Sequence, residues 1–257
     1  MKVILIATIA LMNLSAFAQS SKSTSIAISD TIVYAAVDRP GELYILTQGN
    51  QIQKFDQDGK LLSLYKGERR PTLFEPGDGA RIFAYYRDLQ QYWIFNPSFE
   101  VTAAHTFDAS FAIEPWLICP AGETNFWILD GADNTLKKIN TRTNTVPVDV
   151  SMNTTSAKEN FLYMRDYQNF LFILEKGKGI LIYNGMGKLV KTIASKSIRY
   201  FNFMGSDLYY VEGDLLKRVD IFYGEAREEK LPIHSPFLLL TDERTFVVGN
   251  KSIEVKR

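Results

Sequence analysis

The sequence is poor in the residues that usually carry chemistry. One cysteine, Cys119, stands among 257 residues, which excludes an intramolecular disulfide and leaves stability to the core. It sits in the apolar run Trp116-Leu117-Ile118-Cys119, where a thiol acts as a small buried hydrophobe. The only histidines are His105 and His234, far apart in the chain. One cysteine and two distant histidines do not make a zinc site. No phosphate-binding loop, dinucleotide fingerprint or Gly-x-Ser-x-Gly elbow occurs. Net charge is also missing: 29 Lys and Arg balance 29 Asp and Glu, so no overall field draws in nucleic acid or an anionic membrane. A sustained helical period with caps is absent, and helix is expected only as a short turn near residues 156–163.

One long apolar run does exist, at the start. Lys2 precedes residues 3–12, all apolar but for Thr8, and Ala16-Phe17-Ala18 follows as a small-x-small cleavage site. The pattern is that of a secretory signal over 1–18, with a mature domain over 19–257. The run is too short for a comfortable membrane span, and no cysteine follows it to carry a lipid. The expected location is therefore exported and bacterial: the periplasm, the outer membrane or beyond.

Aromatics make up 13% of the chain and favour strands. They fall into a repeat. An apolar residue, two intervening residues, a second apolar residue and then Asp or Asn recur five times, at Ile52-Gln53-Lys54-Phe55-Asp56, Tyr92-Trp93-Ile94-Phe95-Asn96, Leu136-Lys137-Lys138-Ile139-Asn140, Ile180-Leu181-Ile182-Tyr183-Asn184 and Leu216-Lys217-Arg218-Val219-Asp220. A degenerate copy, Ser252-Ile253-Glu254-Val255-Lys256, ends the chain. Steps from Phe55 to Val255 are 40, 44, 44, 36 and 36 residues. Each repeat holds four short strand-like runs, and Asp58-Gly59 and Asn184-Gly185 are expected to supply positive φ at hairpins.

Four strands per unit of this length predict β-propeller blades, and six units consume the mature chain. The fold class is all-β: a six-bladed β-propeller with four antiparallel strands per blade. The last unit, 236–257, has room for three strands, while Ser25-Ile26-Ala27-Ile28 is a spare strand at the beginning. The spare strand is expected to complete the last blade and close the ring.

The segments Phe55-Asp56-Gln57-Asp58-Gly59-Lys60-Leu61 and Tyr183-Asn184-Gly185-Met186-Gly187-Lys188-Leu189-Val190 resemble the strand-turn-strand element of NHL-type and related six-bladed propellers, exported bacterial ones among them. The resemblance is architectural and implies a fold, not an activity.

No catalytic constellation stands out. Asp38, Asp78, Asp166 and Asp242 follow the first strand of their repeats and are expected on one face of the disc. Arg69, Arg70, Arg87, Asp88, Asp130 and Asp133 fall in loops expected on the opposite face, and with Tyr86 they form the candidate partner-binding set. Tyr86 and Tyr223, beside turns, are expected to be the exposed aromatics. Asn153-Thr154-Thr155 is an acceptor-type sequon in a loop. The first expectation is a non-catalytic scaffold or accessory subunit that binds a protein of the cell envelope, with no cofactor, metal or catalytic residue. The alternatives are a calcium-dependent lactonase-like hydrolase, its ion held by channel carboxylates, and a glycan-binding module.

Overall fold

The computed structural model describes residues 23–231 and 235–257. The leader expected over 1–18 and His234 lie outside the described residues. Six four-stranded antiparallel sheets stand in a ring. After β1 (Thr24–Ala27), blade 1 comprises β2 (Ile32–Val37), β3 (Leu43–Thr47), β4 (Gln51–Phe55) and β5 (Leu61–Lys66). Blade 2 comprises β6 (Leu73–Glu75), β7 (Ile82–Tyr86), β8 (Gln91–Phe95) and β9 (Val101–Thr106). Blade 3 comprises β10 (Pro115–Pro120), β11 (Asn125–Asp130), β12 (Thr135–Asn140) and β13 (Thr145–Ser151). Blade 4 runs through β14 (Phe161–Tyr167), β15 (Phe170–Glu175), β16 (Gly179–Asn184) and β17 (Leu189–Ala194). Blade 5 runs through β18 (Phe201–Met204), β19 (Asp207–Glu212), β20 (Leu215–Asp220) and β21 (Ala226–Lys230). Blade 6 has β22 (Phe237–Leu240), β23 (Thr245–Val248) and β24 (Ser252–Lys256), and its outer strand is β1.

The first and last strands therefore close the ring. β1 pairs antiparallel with β24, Thr24 opposite Val255 and Ala27 opposite Ser252. The turn of blade 1 packs against this junction: a Cβ on Gly59 would come within 2.5 Å of Ile26 Cδ1. Gly59 also has φ +88°, so its lack of a side chain answers both the turn and the close approach.

The recurring Asp or Asn has a physical explanation. Its side-chain oxygen caps the hairpin between the third and fourth strands. Asp56 accepts the N–H groups of Asp58 and Lys60 at 3.0 and 2.8 Å. Asn96 takes those of Ser98 and Glu100, both at 3.0 Å, and Asn184 those of Met186 and Lys188 at 3.1 and 3.0 Å. Asn140 and Asp220 act the same way. Such Asx turns favour one oxygen-bearing residue at a fixed offset. The positive φ falls three residues after the cap, at Gly59, Phe99 and Gly187. In blade 4 it therefore belongs to Gly187 and not to the expected Asn184-Gly185 pair.

Burial decreases outward from the axis. β3 is buried throughout, whereas β21 is exposed throughout and β5 and β9 nearly so. Core clusters span neighbouring blades, so each sheet buries its faces against the next. A short 3-10 turn at Lys158–Asn160 matches the one helical expectation, and a second, at Arg87–Leu89, was not expected.

Candidate functional site at the axis and the two faces

The inner strands β2, β6, β10, β14, β18 and β22 surround the axis. β2 sends Tyr34 into it. The ring centroid of Tyr34 lies 5.9–6.5 Å from those of Phe74, Tyr163, Tyr200 and Phe237, which come from four other blades or the loops entering them. Its hydroxyl donates to the Phe74 carbonyl at 3.0 Å and lies 3.3 Å from the Tyr163 hydroxyl. Burial pushes the phenol pKa of Tyr34 and Tyr200 up.

Next to this aromatic plug lies an ion pair. Arg165 Nε of β14 is 2.8 Å from Glu75 Oε2 of β6, and Arg165 Nη1 also donates to Asn202 Oδ1 of β18. Both charged side chains are largely buried. Burial works against the guanidinium charge, and the Glu75 carboxylate beside it reverses the balance and raises the Arg165 pKa.

On the face formed by the turns that follow the inner strands, the axis opens into a cavity of about 840 Å³. Asp38, Asp78, Asp166 and Asp242 all line it, as the repeat alignment predicts. Three already have partners. Asp38 accepts Glu42 N–H and the Tyr44 hydroxyl at 2.8 and 2.9 Å. Asp78 caps its own turn through Ala80 N–H at 3.0 Å. Asp166 accepts Trp127 Nε1 at 3.0 Å, and burial raises its pKa against that bond. Among the described residues no three His, Cys, Asp or Glu converge as metal ligands would.

The opposite face carries most of the sequence-derived candidates. Arg69 and Asp88 form an exposed ion pair. The Arg87 guanidinium lies 3.5 Å from the Trp116 ring centroid, and its Nε donates to the Trp116 carbonyl at 2.7 Å. Lys158 approaches the same ring at 5.4 Å and pairs with Glu114. Arg69 and Asp88 are thus paired beside blade 2, and Arg87 bridges blades 2 and 3. Arg70 is exposed and has no ion-pair partner among the described residues.

Two members of the set require correction. Tyr86 is 1% exposed, its ring 4.6 Å from that of Trp93, because β7 is covered on both faces and every one of its side chains is buried. Asp130 is fully buried and accepts Ile113 N–H, Glu114 N–H, Ala132 N–H and Lys137 Nζ at 2.9–3.1 Å. It anchors the loop entering blade 3 to the β11–β12 turn. Asp133 stays half-exposed and bonds Thr135. Tyr223 is exposed as expected, with Phe222 beside it. Cys119 is buried and burial raises its thiol pKa, which suits packing. His105 is exposed on β9 against Tyr92.

No protein-family model matches this chain. No curated protein matches it either. Solved structures do. The extracellular domain of BT4673 from B. thetaiotaomicron, described as a hybrid two-component system, superposes with a TM-score of 0.56 at 14% identity, over 87% of this chain. This chain spans 33% of the length of that structure. The Pan2 WD40 domain of Neurospora crassa gives a TM-score of 0.53 at 8% identity, with 88% of this chain and 89% of that one covered. BamB from Moraxella catarrhalis gives 0.48 at 9% identity, over 89% and 86%. At such identities the first two likenesses establish the propeller fold and nothing finer.

Sequence reasoning missed the Arg165–Glu75–Asn202 group. Its members come from three blades at no fixed spacing, and only the closing of the ring brings them together.

Proposed function

We propose that this chain is a non-catalytic binding module, an exported propeller that docks a protein of the bacterial cell envelope across a loop face. The observation that carries the reading is the state of the axis. Catalysis needs titratable groups that converge on a substrate and are free to act on it. Here Arg165 and Glu75 neutralise each other, and Tyr34 fills the ring beside them. The signal-like leader supports export. No helix among the described residues is long and apolar enough to cross a membrane.

The calcium-dependent hydrolase is disfavoured by the same geometry. The Arg165 guanidinium already occupies Glu75, Asp38 and Asp78 accept N–H groups of their own turns, and Asp166 accepts the Trp127 indole, which leaves few carboxylates free to ligate an ion. Affinity capture of the tagged protein from its native envelope, with mass spectrometry of the co-purifying proteins, tests the proposal. A stoichiometric envelope protein supports it. A companionless monomer that turns over a small ester would sink it.

A further inference from the structure

A second cavity, about 970 Å³, opens on the loop face between blades 4, 5 and 6. Among the described residues its charged lining is cationic: Lys176 from the β15–β16 turn, and Lys196 and Arg199 from the loop that joins β17 to β18. All three are exposed, and none takes part in an ion pair among the described residues. The neighbouring acids are already engaged. Glu175 pairs with Lys178 at 3.2 Å, Glu212 with Lys217 at 2.7 Å and Asp214 with Lys230 at 3.7 Å. Residues 232–234, outside the described residues, include no Asp or Glu.

The walls between the cations are apolar, with Ile198, Tyr210 and Leu238 among them. Tyr200, whose ring also packs against Tyr34 at the axis, is one of the wall residues. The volume reaches the upper end of the range for small-molecule sites, which is room for several residues of a peptide.

From this arrangement we infer that the cavity receives an acidic peptide segment of the partner protein, in which carboxylates flank an apolar anchor. Cations set on two elements suit carboxylates spaced along an extended chain, and the wall between them suits one aromatic or branched aliphatic side chain. The inference rests on the binding-module reading and adds the surface and the chemistry of the partner.

Selection of a random-peptide phage library against the purified protein tests it, followed by binding of the selected peptides to the triple variant Lys176→Glu, Lys196→Glu, Arg199→Glu. All three sites are exposed, so the variant keeps its fold, verified by circular dichroism. The expected result is enrichment of Asp and Glu beside an aromatic or aliphatic residue, with binding to the variant weaker by about tenfold or more. Added salt weakens binding to the unaltered protein. Three outcomes overturn the inference: peptides without acidic enrichment, equal binding to the variant, or no selected peptide while 2-naphthoate alone saturates the cavity. Envelope capture with the same variant separates this failure from that of the broader reading. A partner retained by the variant removes this surface and leaves the binding module standing. A partner absent even from the unaltered protein removes the binding module itself.

Discussion

At Asp130 and Asp166 the same side chain meets opposite surroundings. Burial alone would raise both pKa values. At Asp130 the Lys137 ammonium and three backbone N–H groups outweigh burial and hold the carboxyl below its ordinary value. At Asp166 one indole N–H does not, and the value stays raised. The consequences have opposite signs. A depressed folded pKa gives stability that is present above the unfolded value near about pH 4 and is lost as pH falls through the folded value. Asp130→Asn should therefore cost about 3 kcal/mol at neutral pH, with the deficit shrinking in acid, as read by urea unfolding across pH. Asp166→Asn keeps an acceptor for Trp127 and removes a charge that the folded state disfavours. It should leave stability unchanged or raise it at neutral pH, with no gain below about pH 4. A third test at this scale concerns the axial pair. Glu75→Gln should cost about 3–5 kcal/mol by stranding the Arg165 charge, while Glu75→Gln with Arg165→Met should recover part of that loss.

Among the elements, the hairpins explain what the sequence showed and what it hid. The Asp/Asn repeat was legible because an Asx turn needs an oxygen-bearing residue at one offset from the strand end, five times over. The closing strand was legible because a blade of three strands leaves an unsatisfied edge. The burial of Tyr86 and Asp130 was not, because local turn chemistry says nothing about which neighbouring blade covers a turn. Asp130 resembled a solvated loop acid until Lys137 and the loop before blade 3 were in place. The ring junction gives a prediction at the level of elements. Gly59→Val meets Ile26 and Val255 and also strains a positive φ, so it should lower the melting temperature by about 10 °C or more. Gly177→Val, also at positive φ but with nothing within 4 Å of its added Cβ, should lower it less. Differential scanning calorimetry of the two variants checks the comparison.

For the whole molecule, six sheets packed face to face around a filled axis make a disc whose variable parts are its loop faces. Such a scaffold is expected to respond to what binds those faces and to be indifferent to ions offered to the axis. Millimolar calcium should move the melting temperature no more than magnesium does, within about 1 °C, because a site that binds only the folded state would raise it measurably. A selective rise with calcium would return attention to the cavity lined by Asp38, Asp78, Asp166 and Asp242. The acids were correctly placed on one face from the sequence. Their engagement by Tyr44, Trp127 and their own turns is a matter of side-chain direction, which spacing alone does not encode.

The pairing of Thr24 with Val255 also sets a clock. Among the described strands β1 leaves the ribosome before all the others and its partner after them, so blade 6 cannot be completed until β24 has emerged. Until then the nascent protein is an open horseshoe, with one orphan strand at its start and an unfilled edge at its growing end. The pairing of β1 with β24 joins strands separated by nearly all of the described sequence, a non-local contact of the kind that slows folding. A truncation that removes β24 would therefore leave β1 without its partner and uncover the turn of blade 1 that packs on the junction.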